Sequence, residues 1–414
     1  MAVPLPTPDT PLSALLNLDD FERSAEATLK PKVRALDPRG AIMPRDTAGL
    51  TSLGPPPRRR HPLQSWAYYA SAADDGWTAQ QSKSIWSQVR LRPRVLRNVD
   101  GPVDLRTRIV GHESRLPFMI SPAAMGKLAH KDGELCLVEG AGRVGIPYAP
   151  SNHASVAHRD LAAAARPGQT LFFQLYVHRE RWRSEKQLAE AKRLGFRAVV
   201  LTVDVAIPGN RELDLRTGLD ENAVALANAG KEVGQHVLAV ATTAATIDAS
   251  VTFDDIAWVK KASDGLPVLV KGIQCVEDAL DAVAADADGL VLSNHGGRQV
   301  NTASTPLEIL LELRRHAPHL LSSPSKLTIV VDGGIRRGTD VVKALCLGAH
   351  AVSLARPFMF SLVYGPDGVE KVARILEDEV VRAMKLLGVR SVEELGPEYV
   401  NARRVERLVY GGKL

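Results

Sequence analysis

The sequence predicts an α/β protein built on a (β/α)8 barrel, with an N-terminal helical extension and C-terminal helices. Three observations carry this. Eight short apolar runs alternate with amphipathic stretches, the pattern of a buried parallel sheet covered by helices. The span from Leu116 to Leu362 matches the roughly 250 residues typical of such a barrel. The residues that end the runs are polar and chemically coherent, as expected where barrels place their sites.

The elements follow in order. Residues 1–16 are Pro-rich and predict loose chain. Phe21, Ala25 and Leu29 recur at fourfold spacing, which predicts a helix over Leu18–Lys30. Residues 33–64 break every period and carry Pro55-Pro56-Pro57, so they read as a long insert without structure of its own. This divides the chain into an extension, 1–64, and a barrel domain, 65–414. The apolar runs predict strands at Phe118–Ser121, Ile146–Ala149, Thr170–Leu175, Ala198–Val203, Pro267–Val270, Gly289–Leu292, Thr328–Val331 and Ala351–Leu354. Helical patterns fall at Gly133–Arg143, Glu180–Leu194, Phe253–Ala262, Val276–Ala285, Pro306–His316 and Arg337–Leu347. A doubly wound open sheet is the alternative, because a strand count does not show closure.

Bulk properties exclude several classes. The 414 residues are 45% hydrophobic and 24% charged, an ordinary globular composition. Net charge is +5. Residues 33–64 hold six Arg and two Asp, so +4 of it sits there and the remainder is nearly neutral. That is no nucleic-acid footprint. No apolar run is long enough to span a membrane. Cys136, Cys275 and Cys346 show no metal spacing and read as buried free thiols of a reducing compartment. The expected location is cytoplasmic; a peroxisomal one is the alternative, since Gly412-Lys413-Leu414 is a weak relative of the peroxisomal tripeptide.

The chemistry concentrates at the run Val291 to Val300. A buried strand there delivers Ser293, Asn294, His295, two glycines and Arg298. Glycines allow close backbone approach to a ligand. Arginine grips a carboxylate or phosphate with paired bonds, and histidine exchanges a proton near neutral pH. The other strand ends supply Pro122, Ala123 and Ala124; Ser151 and His153; Gln174 and Tyr176; Thr202 and Asp204; Lys271; Asp332, Gly333 and Gly334; and Ala355 and Arg356. Asp332 to Gly338 and Arg356-Pro357 follow the last two strands, where barrels of this kind hold phosphate. No Gly-x-Gly-x-x-Gly follows a strand, and no metal-ligand spacing appears. A phosphate site with Lys271 on the fifth strand suits flavin mononucleotide (FMN), because a cation stabilises the anionic reduced ring.

These segments resemble the FMN-dependent 2-hydroxy-acid oxidase and dehydrogenase family, which includes glycolate oxidase and the flavin domain of flavocytochrome L-lactate dehydrogenase. The matching strings are Tyr68–Ser71, Ser121–Met125, Gln174–Tyr176, Leu201–Asp204, Val270–Gly272, Ser293–Gln299, Asp332–Asp340 and Arg356-Pro357. The resemblance implies that Arg298 and Tyr68 bind the substrate carboxylate, with Arg211 as a further cation. It implies that Tyr176 bonds the 2-hydroxyl and that His295 is the base, with Asp204 as its partner. Lys271 would face flavin N1–O2. Gln174, Thr202, Ser151 and Ser293 would bond the ring and ribityl chain. Asp332, Gly333, Gly334, Arg336, Ala355 and Arg356 would hold the phosphate end, and Pro122 to Ala124 would lie along the flavin. No metal or haem is implied.

Three departures stand out. Ala355 replaces the usual Gly. His153 replaces an apolar residue that faces the substrate side chain, and offers a donor or, when protonated, a charge. Residues 33–64 interrupt the family pattern. The expected partners are a small 2-hydroxy acid and an electron acceptor (oxygen, a quinone or a cytochrome), with a homo-oligomer, specifically a homotetramer, as the assembly. Arg216 to Ser250 are expected to form a mobile lid. Two other functions stay open: a flavin barrel that isomerises a phosphorylated substrate, and a non-catalytic barrel.

Overall fold

The computed structural model describes residues 7–8, 10–29, 62–216, 246–321 and 327–412. Residues 33–61 of the expected insert and 217–245 of the expected lid lie outside them.

Seven parallel strands form one sheet: Phe118–Ile120, Phe173–Leu175, Val199–Thr202, Val268–Ile273, Gly289–Ser293, Thr328–Asp332 and Ala351–Leu354. The first pairs with the last, so one gap separates the sheet from closure. Tyr148 fills it, bridging Ile120 on one side and Leu171 on the other. The ring is therefore closed, and the open-sheet alternative falls. The expected strand Ile146–Ala149 shrinks to this single bridge. Pro147 and Pro150 flank it and have no N–H to give to a ladder.

The fifth strand corrects the sequence expectation in the other direction. It runs through Lys271 to Ile273, beyond the expected end at Val270. Its register with the next strand shifts between Lys271 and Ile273. Gly272 takes φ +112° there, and a Cβ on it would meet Asp204 at 2.6 Å. Only glycine lets the two strand ends approach so closely.

Strand alternation explains both the continuous apolar runs and the site above them. Met119, Ala149, Phe172, Val200, Leu269, Val291, Val330 and Ala351 point inward and form one apolar plug with Ile109 and Ala198. The intervening residues pack outward against the helices. With a period of two, the next inward positions are Ser121, Ser151, Gln174, Thr202, Lys271, Ser293, Asp332 and Ser353, all buried. A polar layer thus sits directly on an apolar one. Below the plug, the hairpin Thr107–Ile109 with His112–Ser114 covers the N-terminal end. It is tied down by Val110 N–H to Thr328 Oγ1 (3.0 Å) and Thr107 Oγ1 to the His350 carbonyl (3.1 Å).

The helices end where their caps dictate. Pro306–His316 starts with a capping box, Thr305 with Glu308, and finishes on Arg314, Arg315 and His316; such a cap contributes about 1 kcal/mol, and the basic end suits the helix dipole. Gly365–Leu387 stops at Gly388, φ +83°, in the left-handed conformation that favours glycine. The helix Leu18–Leu29 is not a free extension. Leu18, Phe21, Ala25 and Leu29 are buried, Phe21 meets the Tyr364 ring edge-on, and Ser24 Oγ and Tyr364 Oη are 2.6 Å apart. The boundary drawn at residue 65 falls within a second helix, Pro62–Ala70. No helix among the described residues is long and apolar enough to cross a membrane.

Candidate active site

A cavity of about 660 Å³ opens above the polar layer, a size suited to a cofactor or drug-sized ligand. Two hydrogen-bonded groups make up most of its floor. Asp332 accepts from Ser121 (2.6 Å) and Ser353 (3.2 Å) on Oδ1 and from Ser293 (2.7 Å) on Oδ2. Lys271 donates to Ser293 Oγ at 3.1 Å. Its ammonium lies 3.7 Å from both Asp332 and Asp204. On the other side Gln174 Nε2 donates to Thr202 Oγ1 (3.1 Å), while its Oε1 accepts from Ser151 Oγ (3.2 Å) and the Asn152 N–H (2.8 Å). Buried polar groups of this density must be satisfied, and a satisfied network holds each donor in one place.

His295 stands at the rim of this floor with φ +56°. A non-glycine residue there is strained by of order 1–3 kcal/mol, and such strain clusters at functional sites. Its Nδ1 is 2.8 Å from Asp204 Oδ1, and the Asp204 side chain is fully buried. Asp204 Oδ2 has no hydrogen-bond partner among the described residues and faces Lys271. Burial pushes the His295 imidazole below its ordinary value; Asp204 opposes this, and Lys271 adds to it. Burial alone would raise the Asp204 carboxyl, but His295 and Lys271 outweigh it and hold it below the usual carboxylate range. The resting pair is a neutral imidazole beside a carboxylate, which can accept a proton and stabilise the resulting cation.

Arg298 lies across from His295. One guanidinium nitrogen is fixed by the Tyr68 and Ser71 carbonyls and Ser71 Oγ, at 2.8–3.0 Å. The group sits 5.3 Å from the Tyr68 ring centre, and Nη2 is 3.8 Å from Asp214. Burial and neighbouring Arg211 bring Arg298 down to about 10. Burial also raises the phenols of Tyr68 and Tyr176, keeping both as neutral donors. Arg211 reaches the same cavity, with Gln299 Oε1 3.5 Å from its Nη2.

The other end of the cavity is basic. Arg356 is fixed by the Gly296 carbonyl (2.7 Å) and the Ser71 carbonyl (3.3 Å). Burial, Arg298 and Arg336 lower it to about 9. The turn Gly333-Gly334 takes φ +127° and +75°, and a Cβ at Gly334 would fall inside the Ser82 carbonyl. Arg336 faces Asp19 (3.7 Å) and Glu22 (3.6 Å) from the N-terminal helix. Ala355 has φ −98° and ψ −76°, outside the left-handed region that would demand glycine, so the methyl group is tolerated there.

The structure brings nearly all the expected residues together. Tyr68, Pro122 to Ala124, Ser151, His153, Tyr176, Arg211, Lys271, His295, Arg298, Asp332 to Gly334, Arg336, Ala355 and Arg356 line the cavity. Gln174, Thr202, Asp204 and Ser293 stand behind that lining. His153 turns in toward the cavity, its ring 5.4 Å from the Tyr176 ring. Burial and His158 bring it down to about 4, which favours a neutral imidazole, both donor and acceptor, near neutral pH.

Other residues were not singled out. Gln299 holds the Asp204 and Ile207 carbonyls (2.7 and 2.9 Å) and accepts the Gly209 N–H (3.1 Å); its place beside Arg298 was the available signal. Ser71 anchors two arginines; its place at the end of the matching string Tyr68–Ser71 was the available signal. Two expectations need correction. Cys275 is partly exposed, unlike buried Cys136 and Cys346, though burial pushes all three thiols up to about 12. One metal-like set does exist among the described residues: ligand atoms of His130, Asp132 and Cys136 lie within 4.8 Å of one another. The Asp132 N–H already occupies His130 Nδ1 at 3.2 Å.

A family model described as FMN-dependent dehydrogenase matches residues 57–402. An L-lactate dehydrogenase (cytochrome) of Wickerhamomyces anomalus is 36% identical over 95% of this chain. Glycolate oxidase 1 of Zea mays is 35% identical over 83% of this chain and 92% of its own length. The chain belongs to the FMN-dependent dehydrogenase family. It spans 63% of the Wickerhamomyces anomalus protein. Among solved structures, the flavin-binding domain of baker's yeast flavocytochrome b2 superposes with a TM-score of 0.78 at 33% identity, covering 98% of this chain and 91% of that one. The barrel is thus the family's TIM-barrel fold, and FMN is its cofactor. The residues present fit that group: a glycine turn with Arg336 and Arg356 for the phosphate, a serine- and amide-rich floor for the ribityl chain and ring edge, and Lys271 as the buried cation.

Proposed function

We propose that this member of the FMN-dependent dehydrogenase family oxidises an L-2-hydroxy acid to the 2-oxo acid. The observation that carries the reading is the His295–Asp204 pair, 2.8 Å apart, held in one cavity with Arg298, Tyr68 and Tyr176. Bound FMN supplies the two-electron acceptor. Arg298, with Arg211 nearby, binds the substrate carboxylate, and the neutral Tyr68 phenol donates to the same group. Tyr176 bonds the 2-hydroxyl and orients C2. Orientation of this kind removes much of the entropic barrier. His295 receives the proton released by the substrate, whether from C2 or from the hydroxyl oxygen. Asp204 stabilises the imidazolium through Nδ1, and Lys271 keeps Asp204 ionised. His153 faces the substituent on C2 and, being neutral, favours an uncharged polar side chain.

The test is direct. Purified protein is scanned for flavin absorbance, then mixed anaerobically with a panel of 2-hydroxy acids. Bleaching of the flavin by at least one acid, with 2-oxo acid formed, is the expected result. Parallel turnover with oxygen and with an artificial acceptor identifies the reoxidant class. A yellow protein that no acid bleaches would refute the reading.

A further inference from the structure

We propose that Lys83 is a third cation for the phosphate end of FMN, exchanged onto it from two carboxylates of the N-terminal helix. The proposal rests on FMN being the cofactor. Lys83 lines the same cavity as Arg336 and Arg356. Its Nζ lies 3.1 Å from Asp19 Oδ1 and 3.2 Å from Glu22 Oε2. Those same two oxygens lie 3.7 and 3.6 Å from Arg336. Two carboxylate oxygens therefore each bridge the same two cations, at the end of the cavity where the glycine turn lies.

The position of Lys83 is fixed by the turn itself. It occupies the last turn of the helix Trp77–Ser84. The carbonyl of neighbouring Ser82 packs where a side chain on Gly334 would go. Ser82 Oγ accepts from Asn294 Nδ2 at 3.0 Å, and Trp86 Nε1 donates to the Gly333 carbonyl at 3.4 Å. The helix end is thus fastened to the phosphate turn on both sides of Lys83.

Electrostatics decides what the four-residue cluster does. The Lys83 side chain is 42% exposed and Glu22 30%, so the pair is screened and easily exchanged. A phosphate dianion at the turn attracts Arg336, Arg356 and Lys83 but is repelled by Glu22, which lines the cavity. Moving Lys83 from the carboxylates to the phosphate balances that charge. Asp19 and Glu22 hold the cations in reach beforehand, and Glu22 weakens the phosphate contact by competing for them.

The experiment compares binding of FMN and of riboflavin, which lacks the phosphate, to the full-length apoprotein by flavin fluorescence. Lys83→Met is expected to raise the FMN Kd about fivefold or more, leave the riboflavin Kd unchanged and flatten the salt dependence of FMN binding. Lys83→Arg should retain wild-type FMN binding. Glu22→Gln should tighten FMN and not riboflavin. An unchanged FMN Kd in Lys83→Met, or equal weakening of both flavins, overturns the assignment; weaker FMN binding in Glu22→Gln overturns the exchange. Wild-type protein that binds neither flavin would instead sink the cofactor reading.

Discussion

Replacing Asp204 by Asn keeps the shape of the site and removes one buried charge. At 2.8 Å from His295 Nδ1, that charge is worth about 6 kcal/mol to an imidazolium at an effective dielectric of 20, which is a ceiling. Breaking a buried charge pair costs about 3–5 kcal/mol in practice. The proton on His295 is present after it has left the substrate, so this cost falls on the reaction and not on the resting neutral histidine. At about 1.4 kcal/mol per decade, Asp204→Asn should slow flavin reduction about 10²- to 10⁴-fold. The assay is anaerobic stopped-flow bleaching at saturating substrate, with flavin content measured separately. The pH dependence supplies a second sign. Burial already lowers His295, and Asp204 opposes that. Removing Asp204 lowers it further, so the acid limb of kcat/KM, which falls as His295 gains a proton, moves to lower pH. A rate within threefold of wild type, or an acid limb that moves up, would refute the reasoning.

His295→Ala should retain FMN and lose about 10²–10⁴ in the rate of flavin reduction; near-normal bleaching would remove His295 from the role of base. Gly334→Ala should abolish FMN binding or folding, because its Cβ collides with backbone at φ +75°; a yellow protein of normal Tm would show that the helix end can yield. His153→Leu should shift kcat/KM toward acids with apolar side chains, and an unchanged preference across the panel would show that His153 does not read the substituent. Deleting residues 33–64, which carry +4 of the net charge and end with the first three residues of the helix Pro62–Ala70, should leave a protein that folds and holds flavin; absence of flavin absorbance in the purified deletion protein would contradict this.

The barrel was legible because buried parallel strands write uninterrupted apolar runs, and seven of the eight expected runs are strands. The run at Ile146–Ala149 failed as a strand because two prolines deprive it of ladder donors. The run Pro267–Val270 stopped short with Lys271 at its end, because a charge and a glycine break the apolar pattern, yet a register shift at Gly272 keeps both in the ladder. The chemistry of the site was legible because it ends those strands. Helix Trp77–Ser84 was not, because it buries Thr78 and Ser82, which carry no hydrophobic signal, and Lys83 went unnoticed with it. The partners of Arg336 were also hidden. Asp19 and Glu22 stand more than 300 residues away in the chain, and only packing of the first helix brings them there.

Among the described residues, the apolar plug beneath the polar layer seals the floor of the site. Met119, Phe172, Leu269 and Val330 leave no polar step for water below Lys271 and Asp332, and the hairpin closes the barrel under them. Under the proposed function, substrate, product and the proton taken by His295 all pass on the side of the barrel above the polar layer. Competition between product and acceptor for that side, under the proposed function, would follow from the strand period that put one layer above the other.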